Sequence, residues 1–227
     1  GIGEPPTGSK DPFALRRASL AVIRMLINLE KPLSLTELLQ AAVEQHTADL
    51  SPDTPDVVSH YITERLGNWY GDDGIHISVV RAALAASTTD LFDIDLRVRA
   101  LSAFAKTETA EHLAAANKRV ANILAKADNL DGTPADPNLF VHEAEHALHE
   151  AISRVGSTLA PLLADRNYQS ALDELAQLRG PVDAFFDGVM VNAEDPAERL
   201  SRLRLLDGLR ALFTQVADLA LLSSAAE

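Results

Sequence analysis

The feature that most constrains the fold is a repeat of apolar residues at helical spacing, which continues through most of the 227-residue chain. It is clearest in the last long segment, where Asp195 and Pro196 suit the N-cap and first turn of a helix. The apolar positions that follow are Leu200, Leu203, Leu206, Leu209, Phe213, Val216 and Leu219. An apolar stripe of this length has to be covered by other helices, so the sequence predicts an all-α helical bundle.

The same pattern predicts most of the remaining helices. Ser34 is placed to cap a helix, because Glu37 completes a capping box with it. Gly180 and Pro181 are expected to break the chain before a helix that starts at Val182. The other predicted helices cover 12–29, 56–69, 77–86, 107–127, 139–164 and 168–178. We predict that residues 1–88 form a smaller helical region and residues 89–227 a C-terminal bundle.

Segment 92–99 is the one place where the pattern supports two structures. Apolar and polar residues alternate strictly there, which is typical of a strand. Ile94, Val98, Leu101 and Ala105 also recur at helical spacing, and the segment continues into residues that favour helices. We predict a helix.

Composition excludes several classes of protein. The chain has no cysteine, which excludes a disulfide scaffold, thiolate zinc sites and cysteine nucleophiles and agrees with a reducing cytoplasm. No apolar stretch approaches the roughly 20 residues that span a bilayer, so we expect a soluble, cytoplasmic chain without membrane contact. It begins at Gly1, without an initiator Met or a signal-peptide pattern, which we interpret as a cut inside a longer protein.

The net charge of −13 argues against a general nucleic-acid binder, because phosphates are neutralised by Lys and Arg. A local basic surface is still possible, since screening limits each charge to about 10 Å at ordinary salt. The helix predicted over 107–127 offers one. Lys118, Asn122 and Lys126 are spaced by four residues and share a face, with Arg119 beside them. The cations suit phosphate contacts, and Asn122 suits a base edge or a ribose hydroxyl.

Other readings of these basic residues stay open. The ridge could be an ordinary solvated helix face, on which Lys126 favours the helix C-terminus. Arg97 and Arg99 could extend the ridge, or they could pair with Asp93 and Asp95.

Two further sets of residues are expected to be structural. We expect Arg199, Arg202 and Arg210 to form surface pairs with Asp195, Glu198 and Asp207. Adjacent residues on a helix diverge by about 100°, so at most one of the Phe185 and Phe186 rings can face outward, and we expect core packing for both.

His142-Glu143-Ala144-Glu145-His146 matches the H-E-x-x-H zinc motif of metalloproteases. A working zinc site also needs a third ligand and an enclosed cleft, and the neighbouring residues are an acidic, solvated surface. His149 stands where the longer metzincin motif requires a glycine. We predict neither a metal site nor a catalytic residue in this chain. A zinc hydrolase remains a remote alternative.

Four segments in register give the chain a resemblance to a known family. They are 6–17, 114–126, 178–191, and 202–206 taken with 212–218. Their order and spacing resemble the beta subunit of the two-chain glycyl-tRNA synthetase of bacteria, over essentially the whole chain. Any one of these segments alone would be a weak signal, whereas four in order are specific.

The resemblance implies a fold and a function. It implies that 89–227 is a DALR-like anticodon-binding domain, as in arginyl-tRNA synthetase, and that 1–88 is a helical connecting region. It implies binding of the tRNA for glycine, with Lys118, Arg119, Asn122, Lys126, Arg97 and Arg99 as candidate contacts. ATP, magnesium and the catalytic centre are expected on the alpha subunit, in a heterotetramer of two alpha and two beta chains. The competing interpretation is an assembly module that joins the two kinds of subunit without contacting the anticodon.

Overall fold

The computed structural model describes residues 11, 13–48, 50–87, 89–127 and 130–222. Within those residues all regular structure is helical, apart from an isolated bridge between Ser34 and Asp90, which confirms the all-α prediction. The chain divides into two compact units, one ending at Val98 and the other beginning at Arg99. This division falls later than the predicted boundary between 88 and 89. The first segment of the resemblance begins at Pro6 and lies partly outside the described residues.

The first unit contains short helices that pack in neighbouring pairs. Helix α2 packs on α3, α3 on α1, and α4 on α5. The largest fully buried side chains of this unit are Tyr70, Ile23, Leu35, Leu66 and Leu91. The helices are α1 (Leu15–Asn28), α2 (Leu35–Glu44), α3 (Thr54–Thr63), α4 (Leu66–Gly71) and α5 (Ile77–Leu84).

Helix α6 (Leu91–Phe104) contains the ambiguous segment, and the helix prediction is confirmed. Ile94, Val98 and Leu101 are fully buried at spacings of four and three, which is the period of a helix and not of a strand. Three of the four polar residues that produced the alternation, Asp93, Asp95 and Arg97, are buried as well. Asp95, for example, accepts a hydrogen bond from the Tyr70 hydroxyl at 2.9 Å. The division between the two units falls within this helix.

The second unit is built from longer helices. Helix α8 packs on α9, α10 and α11, while α7 packs on α10, α11 and the short 3-10 helix Leu219–Leu221 near the end of the chain. Phe185, Phe213, Leu113, Leu148 and Leu159 are its largest fully buried side chains. The α-helices are α7 (Glu108–Leu124), α8 (Glu143–Ala164), α9 (Tyr168–Ala176), α10 (Arg179–Gly188) and α11 (Pro196–Val216), with a 3-10 turn at Pro137–Leu139.

Two details of the helix predictions were wrong. The segment 56–69 is not one helix but two, because α3 ends at Thr63 and α4 begins at Leu66. Gly180 and Pro181 do not break the chain, and they lie in the first turn of α10. Proline is tolerated there because the first amides of a helix have no intrahelical acceptor. Among the described residues, none of the helices is both long enough and apolar enough to cross a membrane.

Candidate nucleic-acid interface

Helix α7 separates an apolar side from a basic one. Thr107 caps it by accepting a hydrogen bond from the amide of Ala110 at 3.2 Å. Leu113 and Val120 are buried against the rest of the second unit. On the other side, the side chains of four residues are exposed: Lys118, Arg119, Asn122 and Lys126. The structure therefore brings these four predicted residues together on one accessible surface.

These residues line one wall of a groove with a volume of about 950 Å³. The opposite wall is the start of α11, which contributes Arg199, and the loop before it contributes Asn192. Aliphatic side chains line the rest of the groove, namely Ile123, Leu200 and Leu203. All the lining residues lie in the described part of the chain, and none of them is Asp or Glu. In a chain with a net charge of −13, this is a local concentration of positive charge on a lining that contains no acidic side chain.

The four cations of the groove are not neutralised by protein carboxylates. Within the described ranges, Lys118, Lys126 and Arg199 form no ion pair, and neither does Arg119. The Arg119 guanidinium instead lies over the ring of Phe186, 4.1 Å from its centroid. A cation on an aromatic face is oriented but keeps its charge available for an anion.

Phe186 corrects a prediction, because its ring is half-buried and supports Arg119 at the groove. Phe185, in contrast, is fully buried, as expected of the neighbouring residue on a helix. The two rings meet edge to face, with centroids 5.6 Å apart. Phe186 therefore connects the core of the second unit to its basic wall.

Within the described residues Arg199 forms no ion pair, so the prediction that it pairs on the surface with a neighbouring acid was wrong. Asp195, four residues before it, is the N-cap of α11, and its Oδ1 accepts hydrogen bonds from the amides of Ala197 at 2.7 Å and Glu198 at 3.4 Å. Arg210 does form a pair, but with Asp218, at 3.2 Å.

Arg202 was also predicted on the surface, and the structure places it in the interior. Its side chain is 3% exposed, and its Nε lies 2.8 Å from Oε1 of the fully buried Glu145. It also pairs with Glu198 at 3.1 Å and donates a hydrogen bond to the Met190 carbonyl at 3.0 Å. These bonds join the start of α8, the start of α11 and the loop that precedes α11. They hold the second wall of the groove in place.

Glu145, at the second variable position of the H-E-x-x-H motif, has a structural role. Its Oε2 accepts hydrogen bonds from the amides of His142 at 2.8 Å and Val141 at 2.9 Å, so it caps the start of α8. Burial, the largest single influence, would raise the pKa of Glu145, but the bonds from Arg202 and the two amides together lower it. The His146 ring packs edge to face on Phe140, with centroids 5.2 Å apart. In the described part of the chain, no cluster of three His, Cys, Asp or Glu residues could hold a metal ion.

The two arginines of α6 differ from the ridge on α7. Arg97 is buried, and its Nε lies 2.7 Å from Oδ2 of Asp93, so the pairing alternative holds for this residue. Its guanidinium is not presented to a ligand. Arg99 is exposed but does not line the groove.

Sequence reasoning missed two polar groove residues, Arg199 and Asn192, and the ring of Phe186 beneath Arg119. A signal for Arg199 was present, since an Asp before a Pro in the first turn is used as a cap and is then a poor ion-pair partner. The position of Asn192 depends on the path of the loop between α10 and α11, which no local pattern specifies.

The second unit packs its helices against α7 and presents a basic groove. Its residues 113–223 match the family model described as DALR anticodon binding domain, which places this unit in the anticodon-binding class. Residues 1–85 match the model described as Glycyl-tRNA synthetase beta subunit. The chain belongs to the glycyl-tRNA synthetase beta subunit family, which confirms the resemblance.

Individual relatives agree over the whole chain. This chain is 48% identical over 223 residues to the "Glycine--tRNA ligase beta subunit" of Actinobacillus pleuropneumoniae, and the aligned region covers 98% of this chain and 32% of that relative. The protein of the same name from Pseudomonas fluorescens is 44% identical over 224 residues, covering 98% of this chain and 33% of that relative. The chain therefore spans about a third of the length of the curated relatives it matches.

Proposed function

We propose that this chain is the tRNA-binding segment of a glycine–tRNA ligase beta subunit and that the groove is where the anticodon arm of the tRNA for glycine docks. One observation carries the proposal. Lys118, Arg119, Lys126 and Arg199 converge on a groove lined by no acidic residue, although the chain as a whole is strongly acidic. Phosphates of a nucleic-acid backbone are the ligands that unpaired, clustered Lys and Arg side chains favour.

The proposal extends to the rest of the enzyme. In the proposed arrangement, the alpha subunit holds ATP, magnesium and the catalytic centre, two alpha and two beta chains assemble in the cytoplasm, and this segment is non-catalytic. The relatives' names, which identify a beta subunit, and the anticodon-binding family model support the tRNA-binding part of this proposal. The isolated chain is accordingly expected to show no glycine-dependent exchange between ATP and pyrophosphate.

The central experiment is charge reversal on the α7 wall. Lys118→Glu with Arg119→Glu is expected to weaken binding of a glycine tRNA transcript at least about 100-fold, since it removes two charged hydrogen bonds worth about 1.5–3 kcal/mol each. The dependence of log K on log salt should also fall by about one to two units as phosphate contacts are lost. Both quantities come from titrations at several salt concentrations.

A matched control is Lys31→Glu with Lys106→Glu, which changes the net charge equally at exposed positions outside the groove. It should leave binding within about twofold, because distant charges are screened. Equal losses in the two double variants would show that net charge, and not the groove, controls binding. A tRNA without its anticodon loop separates the assembly alternative, because a module that only joins subunits would bind both RNAs alike.

A further inference from the structure

The first unit contains a cleft of about 460 Å³ between α1 and the junction of α3 with α4. Helix α1 has no Asp or Glu along its length, although the chain contains 33 acidic residues. The described residues that line the cleft are Arg16, Leu20, Glu64, Arg65 and Asn68. The cleft therefore lies beside a helix that is basic in an otherwise acidic chain.

Two arginines of the first unit lie on aromatic rings. Cζ of Arg65 is 3.2 Å from the centroid of the Tyr61 ring, and its Nη1 donates a hydrogen bond to the Tyr61 carbonyl. Cζ of Arg24 is 5.5 Å from the centroid of the Trp69 ring. In the ranges that the structure describes, neither arginine forms an ion pair. Stacking orients a guanidinium and leaves its charge available for an anion.

Both stacked pairs lie at the cleft. Arg65 lines it directly. Arg24 is one helical turn beyond the lining residue Leu20, and its ring partner Trp69 follows the lining residue Asn68. We call the surface that these five residues form the α1–α4 face.

The chemistry of the α1–α4 face fits the backbone of a nucleic acid. Its two stacked cations come from two different elements, so they can hold neighbouring phosphates of one strand. Asn68 is exposed, and its carboxamide has no hydrogen-bond partner among the described residues, so it can donate to a phosphate or a ribose hydroxyl. The acid of the lining, Glu64, is engaged by His60, whose Nε2 lies 3.3 Å from its Oε1.

We propose that the α1–α4 face is a second RNA-binding surface, at which Arg24 and Arg65 contact phosphates of the tRNA outside its anticodon arm. This inference rests on the proposed function, because the ligand is the same tRNA, and it adds a surface on the other unit of the chain. Phosphate contacts position an RNA without reading its bases. The α1–α4 face therefore contributes to affinity and not to the choice of sequence.

The test compares two RNAs, a glycine tRNA transcript and its isolated anticodon stem-loop, each titrated with the full 227-residue chain. Arg24→Gln with Arg65→Gln should weaken binding of the full transcript about tenfold or more at about 0.1 M salt. It should also lower the slope of log K against log salt by about one to two units. The same variant should bind the stem-loop as wild type does. Arg24→Lys with Arg65→Lys keeps both charges and should retain the wild-type slope.

The matched control is Lys31→Gln with Arg81→Gln, which removes two exposed cations of the first unit that do not line the cleft. Its affinity for both RNAs should stay within about twofold of wild type, because distant charges are screened. Equal helicity and unfolding temperature confirm that all variants remain folded.

The outcomes separate this inference from the proposed function. Unchanged affinity of Arg24→Gln with Arg65→Gln for the full transcript would overturn the inference, and so would an equal loss for the stem-loop. In either case, weaker binding of both RNAs by Lys118→Glu with Arg119→Glu would still support docking of the anticodon arm at the groove. Poly-glutamate is titrated in parallel. If the Gln variant lost affinity for poly-glutamate and not for the full transcript, the face would take an acidic polypeptide and the inference would fail.

Discussion

The arginines at the start of α11 differ in burial and in pairing although they are three residues apart. Arg199 lies on the outer side of the helix, lines the groove and has no ion pair in the described part of the chain. Arg202 lies on the inner side, is 3% exposed and contacts two carboxylates and a carbonyl. The same residue type therefore has a ligand-binding position and a structural position within one helical turn.

The difference shows that the helix face on which a basic residue lies decides its role more than the presence of an acid one turn away, since both arginines have such an acid. Asp195 is four residues before Arg199, but its carboxylate caps the helix. Glu198 is four residues before Arg202 and is available to pair with it. On α7 no such acid is present for Lys118, because none stands three or four residues away in either direction.

The largest effect expected is loss of stability when the inner arginine is removed. Arg202→Met leaves Glu145 as a buried, uncompensated charge and should lower the free energy of unfolding by about 3–5 kcal/mol. Arg199→Met should change it by less than about 0.5 kcal/mol, because a surface substitution disturbs little packing. Urea denaturation followed by circular dichroism measures both. Similar losses for the two variants would contradict the distinction between inner and outer arginines.

The next largest effect expected is a loss of stability in acid, when the Glu145 carboxylate beside Arg202 is protonated. The pKa of Glu145 is lowered in the folded state, so its contribution is fully present above the unfolded value near 4.3 and is lost as pH falls through the folded value. The effect should be smaller than that of Arg202→Met, because a protonated carboxyl still accepts hydrogen bonds. Unfolding temperatures between about pH 3 and pH 7 provide the measurement.

Glu145→Gln sharpens this prediction. The variant should unfold at a lower temperature than wild type at neutral pH. Its unfolding temperature should also fall less steeply as the pH is lowered, because the titrating group is gone. Glu108 also has a lowered pKa, caused first by its hydrogen bond from Arg179, but it is fully exposed. Glu108→Gln should therefore leave the fall of the unfolding temperature in acid nearly unchanged. If the unfolding temperature of Glu145→Gln falls with pH as steeply as that of wild type, Glu145 is not the cause of the loss of stability in acid.

A smaller effect is expected at Phe186, whose ring supports Arg119 on the α7 wall of the groove. Phe186→Leu removes the ring beneath Arg119, and a cation–π contact of this kind is worth about 0.5–1 kcal/mol. Binding of glycine tRNA should weaken roughly two- to fivefold because the guanidinium is less well oriented. Phe186→Tyr keeps the aromatic face and should bind as wild type does. If the Leu and Tyr variants bind equally, the ring does not orient Arg119.

The smallest effect is expected at the cap of α11. Asp195→Ser keeps a side-chain cap but removes the carboxylate near Arg199, so stability should stay within about 0.5 kcal/mol of wild type and tRNA binding should improve up to about twofold. Asp195→Ala removes the cap as well and should cost about 1 kcal/mol. Thermal unfolding and titration of the two variants separate capping from charge. Weaker binding by the Ser variant would show that the carboxylate helps to place Arg199.

Much of the fold could be predicted from the sequence because its signals are local. The period of apolar residues identified α6 as a helix in spite of its alternation, since Ile94, Val98 and Leu101 must share a face to be buried together. The spacing of Lys118, Asn122 and Lys126 was enough to place them on one ridge. Local patterns could not show that Glu145 and Arg202, which are 57 residues apart, would meet in the interior. The second wall of the groove depends on that contact, so it was missed.

Arg202 bonds both Glu145 and the carbonyl of Met190, which is two residues before the groove residue Asn192. Ligand binding at the groove is therefore linked to the stability of the second unit in acid. A ligand that binds only the folded groove raises the unfolding free energy by RT ln(1 + [L]/Kd), so saturation with nucleic acid would shift the acid midpoint to lower pH. A ligand that is held less tightly when Glu145 is protonated must, by reciprocity, lower the pKa of Glu145 by the same free energy.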